Sequence, residues 1–205
     1  YQTLVERMAD AVRQMLENAG MTLEQCGGIG IGSPGTIDAK QGVILYSNNF
    51  GWENVPIVEE LKKHLDTRIE IANDADAAAL GEVCAGAAEG AENAVLLTLG
   101  TGVGSGVILD KKIFRGAMPG GCELGHLSIR YDGIRCTCGR KGCLEAYASA
   151  SALLRIAREK AAEHPESIMN EMCGNDLEQM NGKIPFDAAK AGDEAGMETV
   201  KEYEG

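Results

Sequence analysis

The 205 residues carry 31 acidic and 19 basic side chains, a net charge of −12 that repels phosphate backbones and argues against nucleic-acid binding through this segment. Hydrophobic residues make up 44% and charged residues 24%, ordinary globular proportions, and no apolar run reaches the roughly 18 residues of a membrane span. Seven dispersed cysteines, at 26, 84, 122, 136, 138, 143 and 173, are a poor match to a secreted disulfide framework, and no secretory signal opens the chain, so the expectation is a cytoplasmic protein of one or two α/β-sized domains.

In chain order, apolar residues at 4, 5, 8, 12, 15 and 16 predict a first helix that stops near Gly20. "GGIGIGSPGTID" predicts a short strand into a Ser33-Pro34-Gly35 turn, and "GVILYSNN" a second strand ending in polar amides. "PIVEELKKHL" reads as an amphipathic helix, "RIEIAND" as a strand, and "ADAAALGEVCAGAAEG" as an alanine-rich helix. "NAVLLTLG" is expected to be a buried strand, followed by a glycine-tipped hairpin within an all-β stretch near 95–138. Helix is expected from Leu144 to Glu163, broken at His164-Pro165, and again around the Gly-Asp turn of "FDAAKAGDEAGMETVKEY". The fold class is therefore α/β, with a hinge expected between Gly81 and Gly90. The opening "YQTLVERM" and the closing "METVKEYEG" both sit within helical patterns, so the chain is read as a segment of a longer protein.

Three local patterns could carry chemistry. "LGTGVGSGV" places glycines at alternate positions 100, 102, 104 and 106, which lets backbone approach a ligand and offer N–H groups to an anion. A tight glycine hairpin without a ligand is the competing reading; no Gly-Lys-Ser/Thr follows, and "VILD" is strand-like where a dinucleotide fingerprint needs a helix. Asn73-Asp74 lies where a strand passes into a helix, a common place for α/β sites, although on spacing alone a simple N-cap is favoured. Asp76 reads as a first-turn partner of the helix dipole. Cys136, Cys138 and Cys143 sit in the glycine-punctuated loop "CTCGRKGC", and His126, ten residues upstream of Cys136, completes a tetrahedral set for structural Zn²⁺. A disulfide is disfavoured by compartment, and a redox pair usually has two intervening residues rather than one.

Taken in order, "IGIGSPGTID", "GVILYSNN", "ANDADAAALGE", "LTLGTGVGSGV", "GCELGHLSI" and "CTCGRKGCLEAYAS" resemble the ROK family (repressors, open reading frames, sugar kinases), and within it the bacterial glucokinases. The resemblance implies the actin-like, ribonuclease-H-like ATPase fold of two α/β domains around an active-site cleft, here divided as 1–83 and 84–205. It further implies an ATP-dependent kinase, using ATP with Mg²⁺, that phosphorylates a hexose, glucose above all, at its 6-hydroxyl. Asp74 then matches the general base. Gly35, Asn48, Asn73, Glu123, His126 and Glu145 match the sugar pocket, and Gly100, Thr101, Gly102 and Gly104 the second phosphate loop. His126, Cys136, Cys138 and Cys143 match the family zinc site, and a homodimer is the family's usual state. The sequence departs from the glucokinase pattern at Asp76, where Asn is more usual, and at Cys122, where Gly is; the family's first phosphate loop, Asp-x-Gly-Gly-Thr, is not found. A sugar-sensing repressor with a DNA-binding module upstream is the alternative from the same family.

Overall fold

A computed structural model describes residues 1–117 and 120–205. They form two compact units, one of Tyr1–Leu96 with Ser105–Cys122 and the other of Leu97–Gly104 with Glu123–Gly205. Among the described residues no helix is long and apolar enough to cross a membrane.

In the first unit, α1 (Gln2–Asn18) buries Val5 and Ala9, one turn apart, as its periodicity predicts. Strands β1 (Ile29–Ser33) and β5 (Ile69–Asn73) pair in parallel, with Gly32 opposite Ala72 and Ser33 opposite Asn73. Strands β2 (Thr36–Asp38), β3 (Val43–Ser47) and β4 (Trp52–Val55) form an antiparallel meander. Helix α2 (Ile57–Lys62) turns Ile57 and Leu61 into a core shared with Val5, Ile44, Ile69 and Ile71. The parallel register matters most for function. It brings the Ser33-Pro34-Gly35 turn and Asn73-Asp74 to the same carboxyl edge of the pair, where open α/β sheets place their ligands.

Helix α3 (Asp74–Ala85) follows β5 without an intervening loop. It ends well short of the Gly90 that composition allowed, because the Glu82 carboxylate takes the N–H of Ala87 and the chain extends at Gly86. Strands β6 (Ala94–Leu99), β7 (Val103–Leu109) and β8 (Lys112–Ile113) make the third sheet. Two expectations are corrected here. β6 is not buried on both faces, since Val95, Leu97 and Leu99 are exposed in alternation. The last strand of the β stretch ends at Ile113 rather than near 138, and among the described residues from there to Glu145 there are turns, one 3₁₀ turn and two isolated bridges.

In the second unit the expected helix from 144 to 163 is two. α4 (Glu145–Ala148) ends where Ser149 turns extended and caps α5 (Ala150–Glu163) by accepting the N–H of Ala152. α6 (Ile168–Met172), α7 (Ile184–Lys190) and α8 (Glu194–Glu204) complete the unit around Met169 and the small side chains of Ala157, Ala161, Ala188 and Ala195, which let helix backbones come close. Asp193 caps α8 and binds Ser167 Oγ and the N–H of Ile168. Burial would raise its carboxyl, but those three donors outweigh burial and hold it below the ordinary carboxylate range.

Replacing Leu61 by Ala removes a fully enclosed side chain from the first core and should cost about 2–5 kcal/mol in denaturant unfolding, whereas Arg7→Gln on the exposed face of α1 should stay within about 0.5 kcal/mol. Equal midpoints for the two variants would show that this core does not carry the unit.

Candidate functional site

The strand-to-helix corner of the first unit is built around Asn73. Its Oδ1 accepts the N–H of Ala75 at 2.9 Å and of Asp76 at 3.1 Å, and its Nδ2 donates to the carbonyl of Gly35 at 3.1 Å. Asn73 is thus the N-cap, and Asp74 becomes the first helical residue, with an exposed carboxylate whose Oδ1 accepts the N–H of Ala75. Gly35 is fixed from two sides. It lies at φ +106°, and a Cβ there would strike the carbonyl of Tyr46, so no other residue brings the turn this close to β3. Beyond β3, the Tyr46 hydroxyl donates to Asn48 Oδ1 at 3.3 Å. Ser47 between them is fully buried, with its Oγ unpartnered among the described residues. Gly35, Asn48, Asn73 and Asp74 therefore belong to one connected corner.

The second unit gathers Glu145, the glycine turn and the cysteine cluster. Glu145 Oε2 accepts the N–H of Val103 at 3.0 Å, and a Cβ on Gly102 would collide with that carboxylate. The absence of a side chain at 102 leaves room for the Glu145 carboxylate to reach this backbone. The carbonyl of Gly100 accepts the N–H of Ala150 at 2.8 Å, and that of Thr101 accepts Ser151 Oγ at 2.7 Å. A trans peptide sets its N–H opposite its C=O, so the N–H groups of Thr101 and Gly102 are turned away from α5, as a loop offering donors to an anion requires. Gly104 follows within β7.

Glu145 Oε1 meets the cluster, 3.6 Å from Cys136 Sγ, 3.4 Å from Thr137 Oγ1 and 3.9 Å from His126 Nδ1. His126 closes a single 3₁₀ turn, Leu124–His126, that begins at Glu123. The ligand atoms of His126, Cys136, Cys138 and Cys143 lie within 4.8 Å of one another, with Cys138 Sγ and Cys143 Sγ 3.6 Å apart and Cys136 Sγ 3.6 Å from His126 Nδ1. A tetrahedron of roughly 2.3 Å metal–sulfur bonds has edges of about 3.7 Å, so the set fits zinc, and the sulfurs are too far apart for a disulfide. The backbone N–H of Arg140, helped by its guanidinium, pulls the Cys138 thiol down to about 6, toward the thiolate a metal needs. Burial pushes Cys143 up to about 11.

The family model described as "ROK family" matches residues 1–204. The chain belongs to the ROK family. It is 39% identical over 191 residues to a glucokinase of Thermotoga maritima, covering 93% of this chain and 58% of that protein. It is 35% identical over 161 residues to a xylose repressor of Bacillus subtilis, covering 78% of this chain and 41% of the repressor. Among solved structures, a ROK family glucokinase from Streptomyces griseus in complex with glucose and AMPPNP aligns with a TM-score of 0.78 at 32% identity, over 97% of this chain and 64% of that one. The α/β fold is thus that of the ROK sugar kinases, the actin-like ATPase fold, and the chain spans about half to two thirds of the length of these glucokinases.

Both groups contain residues that the sequence singles out, and the structure adds neighbours that the sequence does not. Tyr46, Thr137 and Ser151 act through side-chain hydrogen bonds that leave no spacing signal, and Arg115, which pairs with Asp76 at 2.8 Å, lies 39 residues from its partner. Asn73→Ala should cost about 1–2 kcal/mol in urea unfolding, and Asn73→Asp, which keeps the cap but loses the donor to Gly35, should fall between it and wild type. Asn73→Asp as destabilising as Asn73→Ala would show that the cap contributes nothing.

Proposed function

We propose that the protein carrying this chain is an ATP-dependent sugar kinase that phosphorylates a hexose, glucose above all, at the 6-hydroxyl. The observation that carries this reading is the division of labour at the corner of β5 and α3. Asn73 takes the capping role and leaves the carboxylate of Asp74 exposed at the carboxyl edge of a parallel strand pair. The likeness to a glucokinase crystallised with glucose and AMPPNP supports it.

In this mechanism Asp74 takes the proton of the 6-hydroxyl as its oxygen attacks the γ-phosphorus of ATP, and ADP leaves with the bridging oxygen. Phosphoryl transfer asks a protein chiefly for positioning and charge neutralisation, which an exposed carboxylate on a rigid helix start and a row of backbone N–H groups supply. Gly100, Thr101, Gly102 and Gly104 hold phosphate oxygens, with Mg²⁺ brought by ATP. Gly35, Asn48, Asn73, Glu123, His126 and Glu145 bind the sugar hydroxyls, where each absent hydroxyl would leave a polar group unpaired. His126, Cys136, Cys138 and Cys143 hold a structural zinc ion, which supplies cross-linking of the loop and no chemistry. His126 can serve both roles because an imidazole has two nitrogens, and Nδ1 is the one beside Cys136. A boundary of the parent's two domains at 83/84, homodimerisation and a cytoplasmic location belong to the same proposal. The likeness to xylose repressors favours a second reading, a sugar-binding regulator of the same fold.

Replacing Asp74 by Asn should lower turnover by at least about a hundredfold while calorimetry still detects sugar binding, because general-base assistance is worth about 10²–10⁴. Turnover within a few-fold of wild type would remove Asp74 from the role. Purified protein should hold one zinc per chain, lost in Cys136→Ser, and chelation should weaken sugar binding through disorder of the loop between His126 and Glu145. A metal-free protein that binds sugar as tightly as the untreated one would contradict this.

A further inference from the structure

The first turn of α3 holds a second carboxylate. Asp76 has only 10% of its side chain accessible, and a carboxylate so enclosed is costly unless a cation meets it. Arg115, two residues beyond β8, does so with an Nε–Oδ2 distance of 2.8 Å. The pair is not a surface accident. On another side of the same turn, β7 presses its backbone onto α3 at Gly106, where a Cβ would meet the Ala75 carbonyl at 2.6 Å and the Ala79 methyl at 2.5 Å. Asn73 closes the turn from its start through the Gly35 carbonyl. The chain that carries Arg115 is held again further on, where the Cys122 carbonyl accepts Ser105 Oγ at 2.7 Å. Asp74 therefore sits on a helix start clamped by three neighbours, and the clamp on Asp76 is electrostatic.

We propose that Arg115 is a positioning residue for phosphoryl transfer: by pairing with Asp76 it fixes the first turn of α3, and through that turn the direction of the Asp74 carboxylate. The inference rests on the reading of Asp74 as the base. Without the guanidinium, the enclosed Asp76 carboxylate has no cation and turns toward water, carrying the backbone of its own turn with it. The peptide between Asp74 and Asp76 moves, and a base displaced by a fraction of an ångström loses rate rather than affinity. The effect should therefore fall on kcat and not on the KM for hexose. It should also depend on Asp76 being charged, a dependence that a merely structural contact of the Arg115 stem would not show.

The experiment measures kcat, KM and melting temperature for Arg115→Met, Arg115→Lys, Asp76→Asn and the Arg115→Met/Asp76→Asn double variant, in the polypeptide that carries this chain. Arg115→Met should lower kcat by about tenfold or more with hexose KM within about threefold, and Arg115→Lys should recover part of the loss. In the Asp76→Asn background, Arg115→Met should cost less than about threefold, because no enclosed carboxylate is left unpaired. An Arg115→Met kcat within twofold of wild type, an equal loss in both backgrounds, or a fall in melting temperature with kcat unchanged would each overturn the proposal. Should Arg115→Met fail to fold, Arg115→Lys and the double variant, compared with Asp76→Asn, still decide it. A wild-type protein that phosphorylates no hexose would instead overturn the function proposed above, which separates the two failures.

Discussion

Asn73 divides its amide between two pieces of backbone. The oxygen collects two N–H groups at the start of α3, and the nitrogen donates to the carbonyl of Gly35 across the parallel pair. A helix start left uncapped would need another acceptor, and Asp74 and Asp76 are the nearest. Asn73 meets most of that need: Asp74 shares only the Ala75 N–H and stays exposed at the edge of the strand pair, and Asp76 turns toward Arg115. The direct passage from β5 into α3 makes this possible, since a loop of even a few residues would uncouple the cap from the strand register. Gly35 supplies the other half of the constraint: its left-handed backbone and the contact with Tyr46 carry the effect of the cap across to β3 and, through the Tyr46 hydroxyl, to Asn48.

Glu145 plays the corresponding part in the second unit. One carboxylate oxygen holds the glycine turn at Val103, and the other faces His126, Cys136 and Thr137. A carboxylate with both oxygens engaged is a stiff joint, and here it joins the turn proposed to hold phosphate to the loop proposed to hold zinc. The bond to the N–H of Val103, at 3.0 Å, is the firm one, and the contacts of the other oxygen with Thr137, Cys136 and His126, at 3.4–3.9 Å, are looser. The cysteine cluster then reads as a clamp on a stretch with little regular structure of its own: between Ile113 and Glu145 the described chain contains a 3₁₀ turn and two isolated bridges.

The sequence made the elements of the first unit legible because their periodicities are clean: Val5 and Ala9 on one face of α1, Ile69 and Ile71 alternating along β5, and a polar pair placed where a strand meets a helix. The cysteine spacing pointed to a four-ligand set for the same reason, that metal chemistry demands residue types as well as positions. What remained hidden was long-range. On spacing alone Asn73-Asp74 looked like a simple cap; only the geometry divides the pair into a cap and an exposed carboxylate. "NAVLLTLG" looked like a strand buried on both sides, yet its alternate residues Val95, Leu97 and Leu99 are exposed, since composition reports apolarity and not what covers it. The break at Ser149 was missed because its hydroxyl competes for a helix start in the middle of a helical pattern. The Arg115–Asp76 pair was hidden because its members lie 39 residues apart: the aspartate at 76 stands out against the glucokinase pattern, but nothing in the spacing names its partner.

Family membership leaves catalysis and sensing on the same scaffold, as the glucokinase and the xylose repressor among its relatives illustrate. Activity resides in a site and not in a fold, and the two readings differ in whether a bound sugar is chemically changed. The most direct measurement is phosphorus NMR of the polypeptide carrying this chain, incubated with ATP, Mg²⁺ and glucose. A catalytic amount of protein should convert the γ-phosphate into a phosphate ester on the 6-oxygen of the sugar. Sugar bound with ATP left intact, or an ester formed at the anomeric oxygen, would contradict the account.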